Sequence, residues 1–301
     1  RQRQMCIRDR FNKTPIGAGP YKVVGQYASG QPLTLQAYSG YWAGVPSPAK
    51  LTIKLIQDAS TRTAELLSGR AHLIENVSIA DIPQIERSGK AKVQALKASE
   101  GKGRNIQYTF NPARPFFADL RVRQALNYAV DRDSIVKNVL EGHGTVIAGI
   151  MPKGWLGYDS SIQPWPYDPA KAKSLLQSAG FGGGFQFTWE ITDGVFLRDR
   201  AIAEAIAPML KDVGVTANLR ITERAVQFSH FYSGDYDLNT LQWPVMKDPD
   251  GNLAWNLATS APMAAYKPYD PLRTLEYQAQ ATYDLGQRTT IYKQLNRQMW
   301  D

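Results

Sequence analysis

Phe110-Asn111 and then Pro115-Phe116-Phe117-Ala118-Asp119-Leu120-Arg121-Val122-Arg123-Gln124-Ala125-Leu126-Asn127-Tyr128-Ala129-Val130-Asp131-Arg132 form the stretch on which the fold turns. Val122, Ala125, Leu126, Ala129 and Val130 recur at helical spacing, so the run Leu120 to Leu140 is expected to be helical with one core-facing side. Asp119 stands at an N-cap position, where its carboxylate can accept from first-turn amides. Asp131 is placed to start a second helix carrying Ile135, Val136 and Val139, and Arg121 and Arg123 to make structural ion pairs or hold a hinge region. Just upstream, Asn105 to Phe110 alternates Ile106, Tyr108 and Phe110 with the period of a strand.

The same alternation of strand and helix continues in both directions. Toward the N-terminus, strands are expected at Tyr21 to Gly25, Leu33 to Ala37 and Leu51 to Ile56. A helix capped by Ser60 or Thr61 and closed by Gly69 comes next, then a brief strand His72 to Ile74 and a short helix opened by Ser78. Toward the C-terminus, Asp168-Pro169 starts a helix ending at Gly180, and Phe185 to Trp189 is a strand. Arg198 to Val213 is a helix, Val215 to Ile221 a strand, and Tyr236-Asp237-Leu238 leads into another. This order predicts α/β domains with a mixed sheet. The loop Gly142 to Gly157 is the best candidate boundary.

Composition sets bounds. With 301 residues, 43% hydrophobic, the chain can build two domains or one large one. The net charge of +8 is spread among acids, as in Asp131-Arg132-Asp133, and forms no stripe suited to a phosphate backbone. No partner nucleic acid is expected. The densest basic run, Arg1 to Arg10, fits poorly with the rest of the chain and resembles translated adapter sequence at the ends of gene fragments. It is set aside from the fold, and Cys6, the one cysteine, with it.

The readings for catalysis and metals are weak. His72, His143 and His230 lack a second ligand at metal spacing, and His72, beside a presumed strand, reads as a structural or surface residue. Gly17-Ala18-Gly19-Pro20 lacks the lysine of a phosphate loop, and Pro20 removes an N–H that such a loop uses. Asp248 and Asp250, with Pro249 between them, read as a turn or helix cap rather than paired acids for hydrolysis. No cofactor, metal or enzyme activity is expected.

Six segments, in order, resemble the extracytoplasmic solute-binding proteins of family 5, the capture subunits of peptide/nickel/opine-type ABC importers. They are Phe11 to Tyr21; Tyr41-Trp42 with Gly44 and Pro46; Asp58 to Arg62; Leu66 to His72, where Arg70 and His72 replace the usual acids; the Phe110 to Arg132 stretch; and Tyr167 to Phe181. The resemblance implies a bilobed periplasmic-binding-protein-like fold of type II, in the large peptide-binder class, with an incomplete first lobe. Residues 11–145 would belong to the first lobe and 146–301 to the second, with the chain a fragment truncated at both ends. On that expectation sheet edges and apolar surface lie unpaired, so a urea melt should show low stability, and a sharp, highly stable transition would count against it.

The implied function is non-catalytic capture of a solute, a short peptide first, between two lobes and its delivery to the permease subunits of an importer. The protein would act as a monomer, periplasmic or membrane-anchored outside the cell. Residues expected to line the cleft are Tyr108, Phe110, Trp189, Phe196, Arg198, Trp243 and Met246, with Arg198 suited to a carboxylate. The run Gln242 to Asp250 keeps Trp243 and Asp248-Pro249-Asp250 but lacks the acid between them that anchors a peptide amine, and Lys247 brings a positive charge. An oligosaccharide or opine-like solute is therefore the alternative cargo, and an enzyme, sensor or chaperone on a similar frame the alternative class.

Overall fold

The computed structural model describes residues 15–26, 28, 30–96, 104–244, 248–251, 253 and 270–300. The chain divides into two compact units, Arg1–Lys92 and Val93–Asp301. The boundary drawn near residue 145 lies inside the second unit, where the 142–157 loop is pinned: Asn296 accepts from the Ile150 amide at 3.0 Å. Met151 and Trp155 from that loop are buried with Leu272, Tyr292 and Leu295.

In the first unit, β1 (Tyr21–Val23), β2 (Leu33–Ala37) and β3 (Lys50–Ile53) form an antiparallel sheet in sequence order. Helix α1 (Ala59–Leu67) comes next, then a 3-10 turn (Ile79–Asp81) running into α2 (Ile82–Ser88). The cap of α1 is Asp58, not Ser60 or Thr61. Its carboxylate accepts from the Thr61 amide and from both hydroxyls, which hold it down at about 2. Arg62 bonds the carbonyls of Ile56, Gln57 and Asn76, so the arginine of the Asp58 to Arg62 motif ties loops together. Arg70 pairs with Glu65 at 2.6 Å, beside Lys54, which accounts for a basic residue there. The strand expected at His72 to Ile74 does not form, because no neighbouring strand pairs with it. Among the described residues of this unit only Thr63, Ile79 and Ile85 are buried, a thin core.

The second unit is built on a four-stranded mixed sheet. Its strands are β4 (Arg104–Phe110), β5 (Phe185–Ile191), β6 (Val215–Ile221) and β7 (Leu238–Pro244), in the order β4-β7-β5-β6. Strands β5, β6 and β7 are parallel and β4 runs against β7. Between β4 and β5 come α3 (Pro115–Ala118), α4 (Leu120–Tyr128), α5 (Arg132–Ser134) with a π turn (Ile135–Val139), and α6 (Pro169–Ser178). Asp119, Asp131 and Asp168 cap α4, α5 and α6 as expected, each accepting from an amide two or three residues on. The helical run from Leu120 is interrupted at Ala129-Val130, and Asp131 caps the second helix expected there. Arg121 does pair with Asp119, while Arg123 bonds the Phe117 and Ala118 carbonyls instead of an acid.

Helix α7 (Asp199–Asp212) joins β5 to β6, and α8 (Arg224–Ser233) joins β6 back across β5 to β7. The two crossovers travel in opposite directions, so right-handed connections place α7 and α8 on opposite faces of the sheet. Gly184 makes the turn into β5 with φ 79°, and a Cβ there would meet the Gly214 carbonyl at 2.1 Å. Two antiparallel helices, α9 (Asp270–Ala281) and α10 (Leu285–Trp300), pack on each other.

The two sheet faces differ chemically. Under α8 the paired positions Thr109, Asn239, Glu190 and Arg220 make a polar row across all four strands. Glu190, fully buried, accepts from Arg220 and lies 2.7 Å from His230 Nδ1 of α8. On the opposite face the Tyr108 and Trp189 rings meet edge to face at 5.0 Å, and Trp189 donates to the Thr240 hydroxyl at 2.9 Å.

Candidate functional site

The carboxyl ends of β5 and β6 lie side by side, and the loops that leave them part toward opposite faces. Such switch points form crevices where ligands bind in α/β sheets. The β5 loop, residues 192–198, is organised by one carboxylate. Asp199, the first residue of α7, is 2% exposed and accepts from the Thr192 hydroxyl at 2.6 Å and from the amides of Gly194, Phe196 and Arg200 at 3.0 to 3.2 Å. A buried carboxylate is tolerated because those donors replace its water.

Arg198 adopts a left-handed conformation at the N-cap, φ 51°, and its guanidinium reaches Glu141 at 3.0 Å. Arg200 pairs with Asp193 and Glu204. Asp193, Arg198, Asp199, Arg200 and Glu204, with Gly194 and Ala201, line a shallow concavity in which both cations already have carboxylate partners.

Arg224 sits differently. It opens α8 just after β6, and its guanidinium carbon lies 4.6 Å from the Phe196 ring centre and 4.4 Å from that of Phe228. Its Nη1 is buried without a hydrogen-bond partner. Burial first, and the like charge of Arg104 second, push its pKa down. Arg104 begins β4 opposite Pro244, at the same end of the sheet. The sequence reading missed Arg224 because the helix carrying it went unrecognised. A cation in a first helical turn, against the dipole, was the available signal.

The seven residues expected to line a cleft fall into three groups. Phe196 and Arg198 share the loop organised by Asp199, Phe196 with 5% of its surface exposed. Tyr108, Phe110 and Trp189 belong to the packed sheet. Trp189 is 1% exposed, and Phe110 lies against Phe117 at 4.9 Å. Tyr108 is partly exposed as a residue, yet its phenol is desolvated; burial and then the charge of Asp199 push its pKa up. The backbone of Trp243 pairs with Asn105 in the sheet, and its side chain lies outside the description, as does Met246 altogether.

Asp248 and Asp250 are committed to structure. Arg288 of α10 reaches Asp248 at 3.0 Å and Asp250 at 2.9 Å, and the Tyr292 hydroxyl donates to Asp250. The Asp250 amide donates to Asp248, the turn contact expected from the Asp-Pro-Asp spacing. Among the described residues no three His, Cys, Asp or Glu side chains gather where a metal could be held.

A mixed α/β sheet of this topology defines a periplasmic-binding-protein architecture of type II. A periplasmic binding protein, DppA from Helicobacter pylori in complex with peptide STSA, superposes with a TM-score of 0.84 at 23% identity, over 99% of this chain and 58% of that one. The chain belongs to the bacterial extracellular solute-binding proteins of family 5, whose middle-region model matches residues 7–292 and so begins within the stretch set aside as foreign. It is 30% identical to the dipeptide-binding protein of Escherichia coli over 97% of its length and 55% of the relative's. It is 33% identical to the heme-binding protein A of Haemophilus influenzae over 84% of its length and 46% of the relative's. The chain thus spans about half the length of these curated relatives.

Proposed function

We propose that this protein captures a solute by non-covalent contacts between two lobes, outside the cytoplasm, and hands it to the permease of an ABC importer. The observation that carries the proposal is the organised β5 loop at the switch point between the β5 and β6 carboxyl ends. That loop is held by Asp199, and its Phe196 ring packs against the guanidinium of Arg224 at the start of α8. That is a pre-formed recognition surface rather than a reacting pair. No helix among the described residues is long and apolar enough to cross a membrane. The permease in this reading is a separate chain.

A short peptide is the first cargo to test, supported by the E. coli and H. pylori relatives whose names carry dipeptide or peptide. The heme-binding relative shows that the cargo changes at comparable identity. The lack of an acid between Trp243 and Asp248, with Lys247 bringing a positive charge there, favours a second reading, an opine-like or sugar solute. Mass spectrometry of small molecules released on denaturing the purified protein decides between them. A family of short peptides is the expected result, and a single opine or oligosaccharide overturns the peptide assignment.

A further inference from the structure

We propose that Arg224, rather than Arg198, receives the carboxylate of the captured solute. The inference rests on the solute-capture reading and adds the chemical class of one end of the cargo. Arg198, the arginine expected from the sequence to take a carboxylate, already pairs with Glu141 at 3.0 Å. Arg114 has Asp237, Arg200 has Asp193 and Glu204, Arg220 has Glu190, and Arg288 has Asp248 and Asp250. Arg224 pairs with no carboxylate among the described residues. Its charged neighbour is Arg104.

Three unfavourable conditions meet at this side chain. It is a cation in the first turn of α8, where the helix dipole opposes it. It is partly desolvated, with Nη1 buried and unbonded. It also faces a like charge. Phe196 and Phe228 offset some of this through cation–π contact and hold the guanidinium in place. Because the rings occupy its sides, what remains to bond is the N–H edge, which matches the two oxygens of a carboxylate.

An anion arriving at the accessible N–H edge would offset the helix dipole and the like charge of Arg104 together. The position supports a role in recognition: Phe196 comes from the β5 loop and Arg224 from the start of α8, so the contact bridges the two connections that diverge at the crevice.

The test compares the small molecules carried by the wild-type chain, Arg224→Gln and Arg224→Lys after identical expression and purification, read by mass spectrometry. Far-UV circular dichroism and urea midpoints establish that each variant is folded. The wild type is expected to release carboxylate-bearing solutes. Arg224→Gln should carry them at about tenfold lower occupancy or less, the usual scale for a charge-assisted pair. Any neutral solutes should stay unchanged. Arg224→Lys, which keeps the charge but not the planar fork, should fall between, and it decides the question if Arg224→Gln does not fold. Wild-type occupancy by carboxylate solutes in both folded variants overturns the inference. So does a wild type carrying only neutral solutes, which leaves solute capture standing. A wild type that releases nothing overturns solute capture itself, and this inference with it.

Discussion

Asp199→Ala is expected to lower stability by about 3 kcal/mol, read as a fall in the urea midpoint of the chain. The side chain is 2% exposed, and four donors converge on it. Alanine would leave the Thr192 hydroxyl and three amides without an acceptor in a place water reaches poorly. Hydrogen bonds to a charged acceptor are worth roughly twice neutral ones, so the loss should exceed that for an ordinary cap, about 1 kcal/mol. Asp199→Asn keeps one acceptor oxygen and should lose about half as much. The alanine substitution also unties residues 192–198, so Phe196 and Arg198 would no longer be held at the crevice, and solute occupancy should fall as well. A midpoint within about 0.5 kcal/mol of wild type would show that the loop is organised by something else.

Trp189→Ala should cost about 4 kcal/mol, in the range for deleting a large buried aromatic side chain. Its indole is buried, meets Tyr108 edge to face at 5.0 Å, and donates to Thr240 at 2.9 Å. Trp189→Phe preserves most of the ring packing and leaves the Thr240 hydroxyl unpaired, a loss of about 1–2 kcal/mol. The pair of variants separates two roles for this residue. A packing residue changes the urea midpoint and leaves the solute profile of Trp189→Phe intact. A residue that touches solute changes the profile of Trp189→Phe with little change in midpoint.

Much of the fold was legible because its signals are local. The caps Asp119, Asp131 and Asp168 act on amides within three residues, so residue type and spacing suffice to find them. Leu33–Ala37 and Val215–Ile221 form strands with the bounds expected from their alternation. Helix α8 was missed because Arg-Ala-Val-Gln-Phe-Ser-His-Phe-Tyr-Ser mixes aromatics with weak helix formers and buries a glutamine where an apolar residue would mark the face. Gln227 is tolerated there because its amide donates to the Thr240 carbonyl. The strand anticipated at His72 to Ile74 failed for the converse reason: β structure needs a partner that the local text does not specify.

The candidate site was half legible. A loop after a parallel strand is a reasonable place to look, and it led to Phe196 and Arg198. Which arginine is left to bind anions depends on where the acids lie. Glu141 reaches Arg198 across 57 residues of sequence, and no spacing rule brings those two together.

The sequence by itself determined the α/β class, the run of capped helices after β4, the family, and the turn at Asp248-Pro249-Asp250. These rest on contacts over a few residues and on motifs in order. Only the tertiary structure decided that Trp189 is buried in the sheet, that Asp199 organises the β5 loop, and that Arg198 is paired with an acid while Arg224 has none among the described residues. Those outcomes depend on strand order, on which face each crossover covers, and on which charges meet across long stretches of chain. Burial and pairing are properties of that arrangement, and residue type alone does not carry them.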